Sequence, residues 1–291
     1  MKISSIIVTF NPNLQALRRT CHTLLQSGSQ VIVVDNSETT QFGEDALPGG
    51  CKLLALCENT GIAHAQNLGI AAARAHQADL IFFFDQDSAI DTSYVPAMVE
   101  GVDPAAPMVA GPVCIDAARN FEYPTYRVNR LGLPKAVLSE GQQVSYPVDL
   151  IISSGSLVTA VTFDLAGLMD EDFFIDYVDL EWCLRCRSRG VPIVVKRNVT
   201  MAHSVGMKSV KLGPITTFIH SPVRTYYKMR NPFLLLRKKE VGLAYAMKEI
   251  ASALLHHFIQ LIMLDRRRDY AGPVAAGLRD GLRGSIGRRL A

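Results

Sequence analysis

The segment LIFFFDQDS, residues 80–88, is the part of the sequence that decides the fold. Its first five residues are apolar without alternation, which is typical of a strand that is buried on both faces of a parallel sheet. Similar apolar runs precede it at residues 4–10, 30–34 and 51–56. The spacing of apolar residues predicts helices between them at 14–25 and 62–76. The alternation indicates an α/β protein with a mostly parallel, Rossmann-like sheet and helices on both faces.

The first four predicted strands all end in polar residues. These residues are Asn11, Asp35, Asn59, and the pair Asp85 and Asp87. Open parallel sheets bind their ligands at the carboxyl ends of the strands. The sequence therefore predicts a polar binding site along this edge of the sheet.

Asp85 and Asp87 form a D-x-D motif directly after the buried strand. Two carboxylates on one turn can hold a hard divalent cation, Mg²⁺ or Mn²⁺, and leave coordination positions for diphosphate oxygens. Such a cation acts as a Lewis acid on a departing nucleotide diphosphate. His203, which follows a late predicted strand, is a candidate third ligand or diphosphate contact, and the alternative is a structural histidine.

Residues 170–181 combine six acidic residues with bulky apolar ones. If a helix begins near Asp176, then Asp176 and Asp179 lie one turn apart on the same face. A carboxylate against apolar neighbours can have a raised pKa, which suits a general base. The alternative is that Asp176 caps the helix and the other acids follow the preference of the helix dipole. We expect both: some of these acids cap the helix, and one acts as a base.

Positive charge is concentrated near the C-terminus of the 291-residue chain. The formal net charge of +3 is too small to indicate a nucleic-acid partner. Six basic residues lie within 224–239 and seven arginines between 266 and 289, which favours contact with the phosphates of anionic lipid or of a diphosphate ligand. The alternative is a solvated basic face.

The apolar segment at 243–264 is interrupted too often by polar residues to span a bilayer. It predicts a helix that packs on the core, an amphipathic helix that lies on a membrane, or the contact of a homodimer. The N-terminus shows no signal peptide, which predicts a cytoplasmic protein, peripheral on the inner face of the membrane if the helix lies there.

Several classes of protein are excluded by missing motifs. The first strand is followed by no G-x-G-x-x-G dinucleotide fingerprint, and the chain has neither a G-x-x-x-x-G-K-[ST] phosphate loop nor a G-x-S-x-G nucleophile elbow. Cys183 and Cys186 form a lone C-x-x-C pair within a predicted helix, which favours packing over a metal or redox role.

Five segments, in chain order, resemble the family 2 glycosyltransferases with the GT-A fold. They are IIVTFNPN at 6–13, VVDNS at 33–37, ENTGIAHAQNLGI at 58–70, FFDQDS at 83–88 and SSGSL at 153–157. Two more, FFIDYVDLEWCLR at 173–185 and RTYYKMRNPFLLLRK at 224–238, are closer to the bacterial rhamnosyltransferase subgroup. The resemblance covers nearly the whole chain.

The resemblance implies roles for individual residues. Those expected to line the nucleotide pocket or lie beside the nucleoside and diphosphate are Thr9, Phe10, Asn11, Asp35 (at the base), Asn59, Gly61 and Asn67. Asp85 and Asp87 match the metal-binding D-x-D of the family. Asp179 aligns with the second acid of the family's Glu-Asp base motif and is the expected general base. The preceding position is Val178 instead of Glu, so Asp176 remains a rival.

The reaction that the resemblance implies is inverting transfer of L-rhamnose from dTDP-rhamnose to a saccharide or a polyprenyl-diphosphate-linked acceptor, as in O-antigen synthesis. The resemblance also predicts how the chain is organised. A nucleotide-sugar-binding half at 1–100 is followed by an acceptor-binding and catalytic half of the same domain at 101–220 and by a C-terminal helical region at 221–291. A sugar nucleotidyltransferase would need a Gly-rich basic loop after the first strand, where the chain has Asn11-Pro12-Asn13. A non-catalytic nucleotide-sugar binding protein is the other alternative, although the acids of the site are intact.

Overall fold

A computed structural model describes residues 1–116, 121–202, 209–212, 215–264 and 267–289. The strands are β1 (Ile3–Thr9), β2 (Gln30–Asp35), β3 (Cys51–Ala55), β4 (Leu80–Asp85), β5 (Val109–Asp116), β6 (Phe121–Glu122), β7 (Thr125–Val128), β8 (Pro134–Val137), β9 (Ser145–Val148), β10 (Leu157–Thr159), β11 (Ile193–Ala202), β12 (Ser209–Leu212) and β13 (Ile215–Phe218). The helices are α1 (Leu14–Gln26), α2 (Ile62–Ala75), α3 (Tyr94–Val99), α4 (Thr162–Ala166), α5 (Val178–Ser188), α6 (Pro222–Leu235), α7 (Leu243–Met263) and α8 (Arg267–Arg283), with short 3-10 turns at Glu44–Ala46 and Glu171–Phe173.

The central sheet has the strand order β3-β2-β1-β4-β10-β5-β11-β9, with β6 paired to the edge of β5. β1 pairs in parallel with β2 and β4, β2 with β3, and β5 with β11. β10 lies antiparallel between β4 and β5, and β6 and β9 also run against their neighbours. Six strands therefore share one direction, which confirms the predicted mostly parallel sheet.

Helices cover both faces of the sheet, as predicted. Ile6 of β1 belongs to the core that α2, α4 and α5 cover, whereas Ile7 belongs to the core under α1 and α3. Successive side chains of a strand point to opposite faces, so a strand that is covered on both sides is apolar at most of its positions. This requirement explains the unbroken apolar runs in the sequence.

The sequence at 148–162 predicts a strand around the serine-rich residues 153–156, but these residues form a turn instead. The N–H of Ser156 donates to the carbonyl of Ser153 at 2.9 Å, and Gly155 has a φ of 78°. The strand β10 begins only at Leu157. The expectation was wrong because a left-handed glycine at this position ends extended backbone.

The last three helices pack together, and α6 contacts both α7 and α8. α8 approaches α6 closely, because a Cβ added at Gly277 would lie 2.6 Å from the carbonyl oxygen of Tyr226. Within the described ranges, no helix is long and apolar enough to cross a membrane. The division of the chain near residues 100 and 220 stays a prediction.

Candidate functional site

The polar residues that follow β1 and β2 form one hydrogen-bonded group. Thr9 Oγ1 and Ser37 Oγ both donate to Asp35 Oδ1, at 2.8 and 2.7 Å. The backbone N–H of Asn11 donates to Ser37 Oγ at 2.8 Å. Asp35 Oδ2 is buried and finds no hydrogen-bond donor in the described part of the chain. An unsatisfied buried carboxylate oxygen is costly, so this atom fits a donor group of a ligand.

The loop after β3 is held by Asn36, which directly follows β2. Asn36 Oδ1 accepts from the backbone N–H and the hydroxyl of Thr60, at 2.8 and 3.0 Å, and Asn36 Nδ2 donates to Asn59 Oδ1 at 3.1 Å. Gly61 has a left-handed φ of 91°, and a Cβ there would lie 2.6 Å from the carbonyl oxygen of Phe174. The structure thus brings Gly61 against the segment 170–181, and Asn59 Oδ1 accepts from the N–H of Gly61 at 3.2 Å.

Asn67 is a buried residue of α2 and stands apart from the strand-end residues. Its Nδ2 donates to the carbonyl of Met169 at 3.0 Å and to Glu171 Oε1 at 2.7 Å. Its Oδ1 accepts from the N–H of Met169 at 2.9 Å. The side-chain amide of Asn67 therefore joins α2 to the segment before α5. The expected contact of Asn67 with the nucleoside or diphosphate stays a prediction.

The D-x-D motif lies on a tight turn at the end of β4. The N–H of Asp85 donates to Ser88 Oγ at 3.0 Å, and Gln86 Oε1 accepts from the N–H of Phe10 at 2.7 Å. Phe10 and Asp87 are exposed, and Asp85 is partly buried. The turn therefore links the ends of β1 and β4 and presents both carboxylates at the predicted edge.

Asp85 and Asp87 fit a divalent cation by their chemistry, because Mg²⁺ is often held by one or two carboxylates together with substrate phosphates. Among the described residues, no group of three or more His, Cys, Asp or Glu side chains is close enough to hold a metal by itself. His203 lies outside the described residues. The residue before it, Ala202, forms an antiparallel β-bridge with Ala89, which follows the D-x-D turn.

Asp179 stands in the first turn of α5 at the wall of a cavity of about 290 Å³. The cavity is otherwise lined largely by aromatic and apolar residues, among them Tyr123, Pro124, Tyr126, Leu150, Ile151 and Tyr245. Burial raises the pKa of Asp179 above its ordinary value, and the charge of Asp176 raises it further, although the backbone N–H groups of Leu180 and Ser153 oppose the shift. A carboxyl in this state can accept a proton at the edge of an apolar pocket.

Asp176 has a different environment, because two cations of α6 surround it. Arg224 Nε lies 2.9 Å from Asp176 Oδ2, Arg224 Nη2 lies 2.8 Å from Oδ1, and Lys228 Nζ lies 3.4 Å from Oδ1. Burial by itself raises the pKa of Asp176, but Lys228 and Arg224 outweigh burial and hold the pKa below its ordinary value. A carboxylate stabilised in this way is a weak base, which favours Asp179 as the proton acceptor.

Arg224 and Lys228 were seen in the sequence only as members of a basic cluster. The charges of Asp176, Asp179 and Asp85 all raise the pKa of Arg224, so this guanidinium is near both acids of the 176–179 segment and the D-x-D turn. The signal that could have found this pair is their spacing of four residues, which puts both on one face of a helix that starts at Ser221 and Pro222.

The backbone from Phe174 to Tyr177 is strained. Phe174, Asp176 and Tyr177 have φ values of 63°, 61° and 67°, a region that non-glycine residues rarely adopt. Asn231 Nδ2 lies 3.0, 2.7 and 3.0 Å from the carbonyl oxygens of Phe173, Ile175 and Asp176. Strained backbone persists only where its surroundings hold it, and here a buried side chain of α6 holds it.

Comparisons with known proteins identify the family of the chain. The profile of the family described as "Glycosyl transferase family 2" matches residues 4–150. The dTDP-rhamnosyl transferase RfbF of Shigella flexneri is 37% identical over 287 residues, which cover 98% of this chain and 97% of that protein.

Solved structures share the fold at low identity. The structure of GalNAc-T7 with UDP, GalNAc and Mn²⁺ matches with a TM-score of 0.58 and 14% identity, over 89% of this chain and 58% of that one. Residues 1–349 of S. aureus TarS in complex with UDP-GlcNAc match with a TM-score of 0.55 and 16% identity, over 98% of this chain and 82% of that one. At such identities the likeness concerns the fold alone. By its motifs, its sheet and its nearly full-length relative, the chain belongs to glycosyl transferase family 2 and is a glycosyltransferase with the GT-A fold.

Proposed function

We propose that the protein transfers L-rhamnose from dTDP-rhamnose, with inversion, to a saccharide or a polyprenyl-diphosphate-linked acceptor in cell-surface polysaccharide synthesis. The relative named dTDP-rhamnosyl transferase, 37% identical over 98% of the chain, supports this donor. The observation that carries the mechanism is the position of Asp179, a partly buried carboxyl with a raised pKa at the wall of a cavity.

Asp179 accepts the proton of the acceptor hydroxyl while that oxygen forms a bond to the anomeric carbon. The attack comes from the face opposite the diphosphate, and the bond between the anomeric carbon and the diphosphate oxygen breaks in the same displacement. The anomeric configuration therefore inverts. General base catalysis of this kind contributes about 10²- to 10⁴-fold to a rate.

The leaving nucleotide diphosphate needs positive charge nearby. Arg224 and Lys228 share a single carboxylate, that of Asp176, so this trio retains one positive charge that faces the acids of the site. Asp85 and Asp87, with His203 as a third group, would hold Mg²⁺ or Mn²⁺. Such an ion supplies further charge neutralisation at the diphosphate when it is bound.

The cavity beside Asp179 is the proposed acceptor subsite. Its tyrosines and prolines offer flat apolar surfaces to a sugar ring, and Glu249 and Lys248 add a charged pair that can bind hydroxyl groups. For an acceptor on a polyprenyl carrier, we expect a peripheral enzyme on the inner face of the bacterial membrane. A homodimer through residues 243–264 would be a competing use of the same helix.

The test is a calorimetric titration of dTDP and of UDP, each with and without Mn²⁺, against the wild type and Asp87→Ala. We expect dTDP to bind in a metal-dependent way that the variant loses. Tighter binding of UDP would remove the dTDP-rhamnose donor but keep the glycosyltransferase, and binding of neither nucleotide would reject the nucleotide-sugar site.

A second measurement separates an enzyme from a binding protein. Turnover of dTDP-rhamnose in the presence of lipid-linked saccharide extracts should occur in the wild type and be lost in Asp179→Asn, while both proteins bind dTDP. Binding of dTDP without turnover in the wild type would favour a non-catalytic binder.

A further inference from the structure

One face of α7 is left uncovered by the rest of the described chain. The large apolar residues on it are Leu243 (70% exposed), Met247 (52%), Leu254 (42%), Leu255 (53%), Phe258 (63%) and Ile262 (56%). They recur mostly three, four or seven residues apart, which places them on one side of the helix. Tyr245, Ile250 and His257 lie buried on the other side. The helix has 21 residues, and the stripe from Leu243 to Ile262 is about 28 Å long.

The charges at the two ends of this stripe are mainly positive, although Glu240 and the exposed Asp269 lie among them. Arg237 and Lys239 are exposed just before α7, and Arg267 and Arg268 are exposed just after it. Glu249, the acidic residue within α7, is buried and therefore does not interrupt the stripe. An apolar face with exposed arginine and lysine at both ends is typical of a helix that lies in the interface of an anionic membrane.

The charge of the whole chain has the same asymmetry. Residues 221–291 contain 14 of the 30 Lys and Arg residues but only five of the 27 Asp and Glu residues, so this region carries +9 and residues 1–220 carry −6. A twofold dimer through α7 would bring two copies of the positive region together, which is unfavourable. An anionic lipid surface is attracted to the same region.

The geometry points to α7 as a membrane-docking helix, whose stripe from Leu243 to Ile262 lies in the headgroup region of an anionic bilayer while the helix stays parallel to the surface. The opposite side of the same helix supplies Tyr245 and Glu249 to the cavity beside Asp179. Docking therefore brings this cavity close to the lipid surface. The docking does not depend on the proposed function, whereas its use for a lipid-linked acceptor rests on it.

The experiment is co-sedimentation of the full-length protein with vesicles of phosphatidylglycerol and phosphatidylcholine in equal parts, and with vesicles of phosphatidylcholine alone, at low and high salt. We expect binding to the anionic vesicles, weaker binding at high salt, and little binding to the neutral ones. The double variant Leu254→Asp/Phe258→Asp should weaken binding to the anionic vesicles by about tenfold or more. Leu165→Asp is the matched control, because Leu165 on α4 is 40% exposed and Leu254 is 42% exposed.

Three results would overturn the proposal: no binding of the wild type to any vesicle, undiminished binding of the double variant, or a wild-type dimer in light scattering that the double variant converts to a monomer. Circular dichroism and dTDP titration of the same samples check that each variant is folded. Vesicle binding without dTDP binding would reject the proposed function and leave the docking helix standing.

Discussion

Asn231→Ala tests whether a side chain of α6 holds the strained segment next to the proposed base. Asn231 is fully buried, and its Nδ2 contacts the carbonyl oxygens of residues 173, 175 and 176 at 3.0, 2.7 and 3.0 Å. Alanine removes these contacts and leaves three buried carbonyl groups with fewer donors. The left-handed φ angles of Phe174, Asp176 and Tyr177 then lose the group that fixes them.

The expected loss of stability is about 2–3 kcal/mol. An amide nitrogen has two hydrogens, and each protein hydrogen bond contributes about 0.5–1.5 kcal/mol net, with more lost when buried carbonyls are left unsatisfied. Relaxation of the strained residues recovers part of this cost, because each such residue stores about 1–3 kcal/mol. The midpoint of thermal unfolding should therefore fall by about 3–5 °C. We also expect kcat to fall by about tenfold or more, since the released segment leads directly into Asp179.

The assay is urea unfolding followed by circular dichroism, together with initial rates of transfer. Asn129→Ala is the control, because Asn129 Oδ1 accepts two backbone N–H groups, of Leu131 and Leu133, in an exposed turn away from the strained segment. A loss below about 0.5 kcal/mol for Asn231→Ala, which is the range of ordinary surface substitutions, would refute the reasoning.

Four further outcomes follow from the same geometry. Asp179→Asn should lower kcat by about 10²- to 10⁴-fold and leave dTDP affinity unchanged in calorimetry, and an active variant would exclude Asp179 as the base. In the wild type, kcat/KM should fall on the acid side at a pH above 3.8, since burial raises the pKa of Asp179 from that value; a profile without this acid limb would contradict the assignment. The pKa of Asp176 is lowered from 3.8 in the folded protein. The ionised carboxylate therefore stabilises the fold fully above pH 3.8, and this stabilisation is lost as the pH falls through the pKa of the folded state. The free energy of unfolding of Asp176→Asn should lack this acid dependence. Gly61→Ala should lower the free energy of unfolding by at least about 2 kcal/mol more than Gly28→Ala does. Both glycines have positive φ, but only a Cβ at Gly61 would lie against Phe174. Equal melting curves of the two variants would argue against that contact.

The sheet and the D-x-D turn could be predicted because their signals are local. A strand buried on both faces is apolar at most of its positions, so β1, β2 and β4 stand out in the sequence as short, mainly apolar runs, although β1 also contains the buried Ser4 and Ser5. The polar residues that end such runs meet at one edge as a matter of topology. The confirmed positions of these strands therefore required no information from distant parts of the chain.

The partners of the acidic segment could not be predicted, because they lie far away in sequence. Arg224 is 48 residues from Asp176, and Asn231 is 58 residues from Phe173. Nothing in the local pattern of 170–182 says that one of its aspartates is paired with two cations and another is left beside a cavity. The two acids looked alike in the sequence, and only their surroundings distinguish a stabilised anion from a proton acceptor.

The placement of α6 makes the geometry around Asp176 depend on the C-terminal part of the chain. A protein shortened to end before Pro222 would keep every strand of the nine-stranded sheet and the D-x-D turn. It would lose both cations of Asp176 and the amide that fixes the carbonyls of residues 173–176. Even the last turn contributes, because the N–H of Gly287 donates to the carbonyl of Asp172 at 2.7 Å. The matched family region ends at residue 150, so both the segment at 172–176 and the α6 residues that hold it lie outside that region.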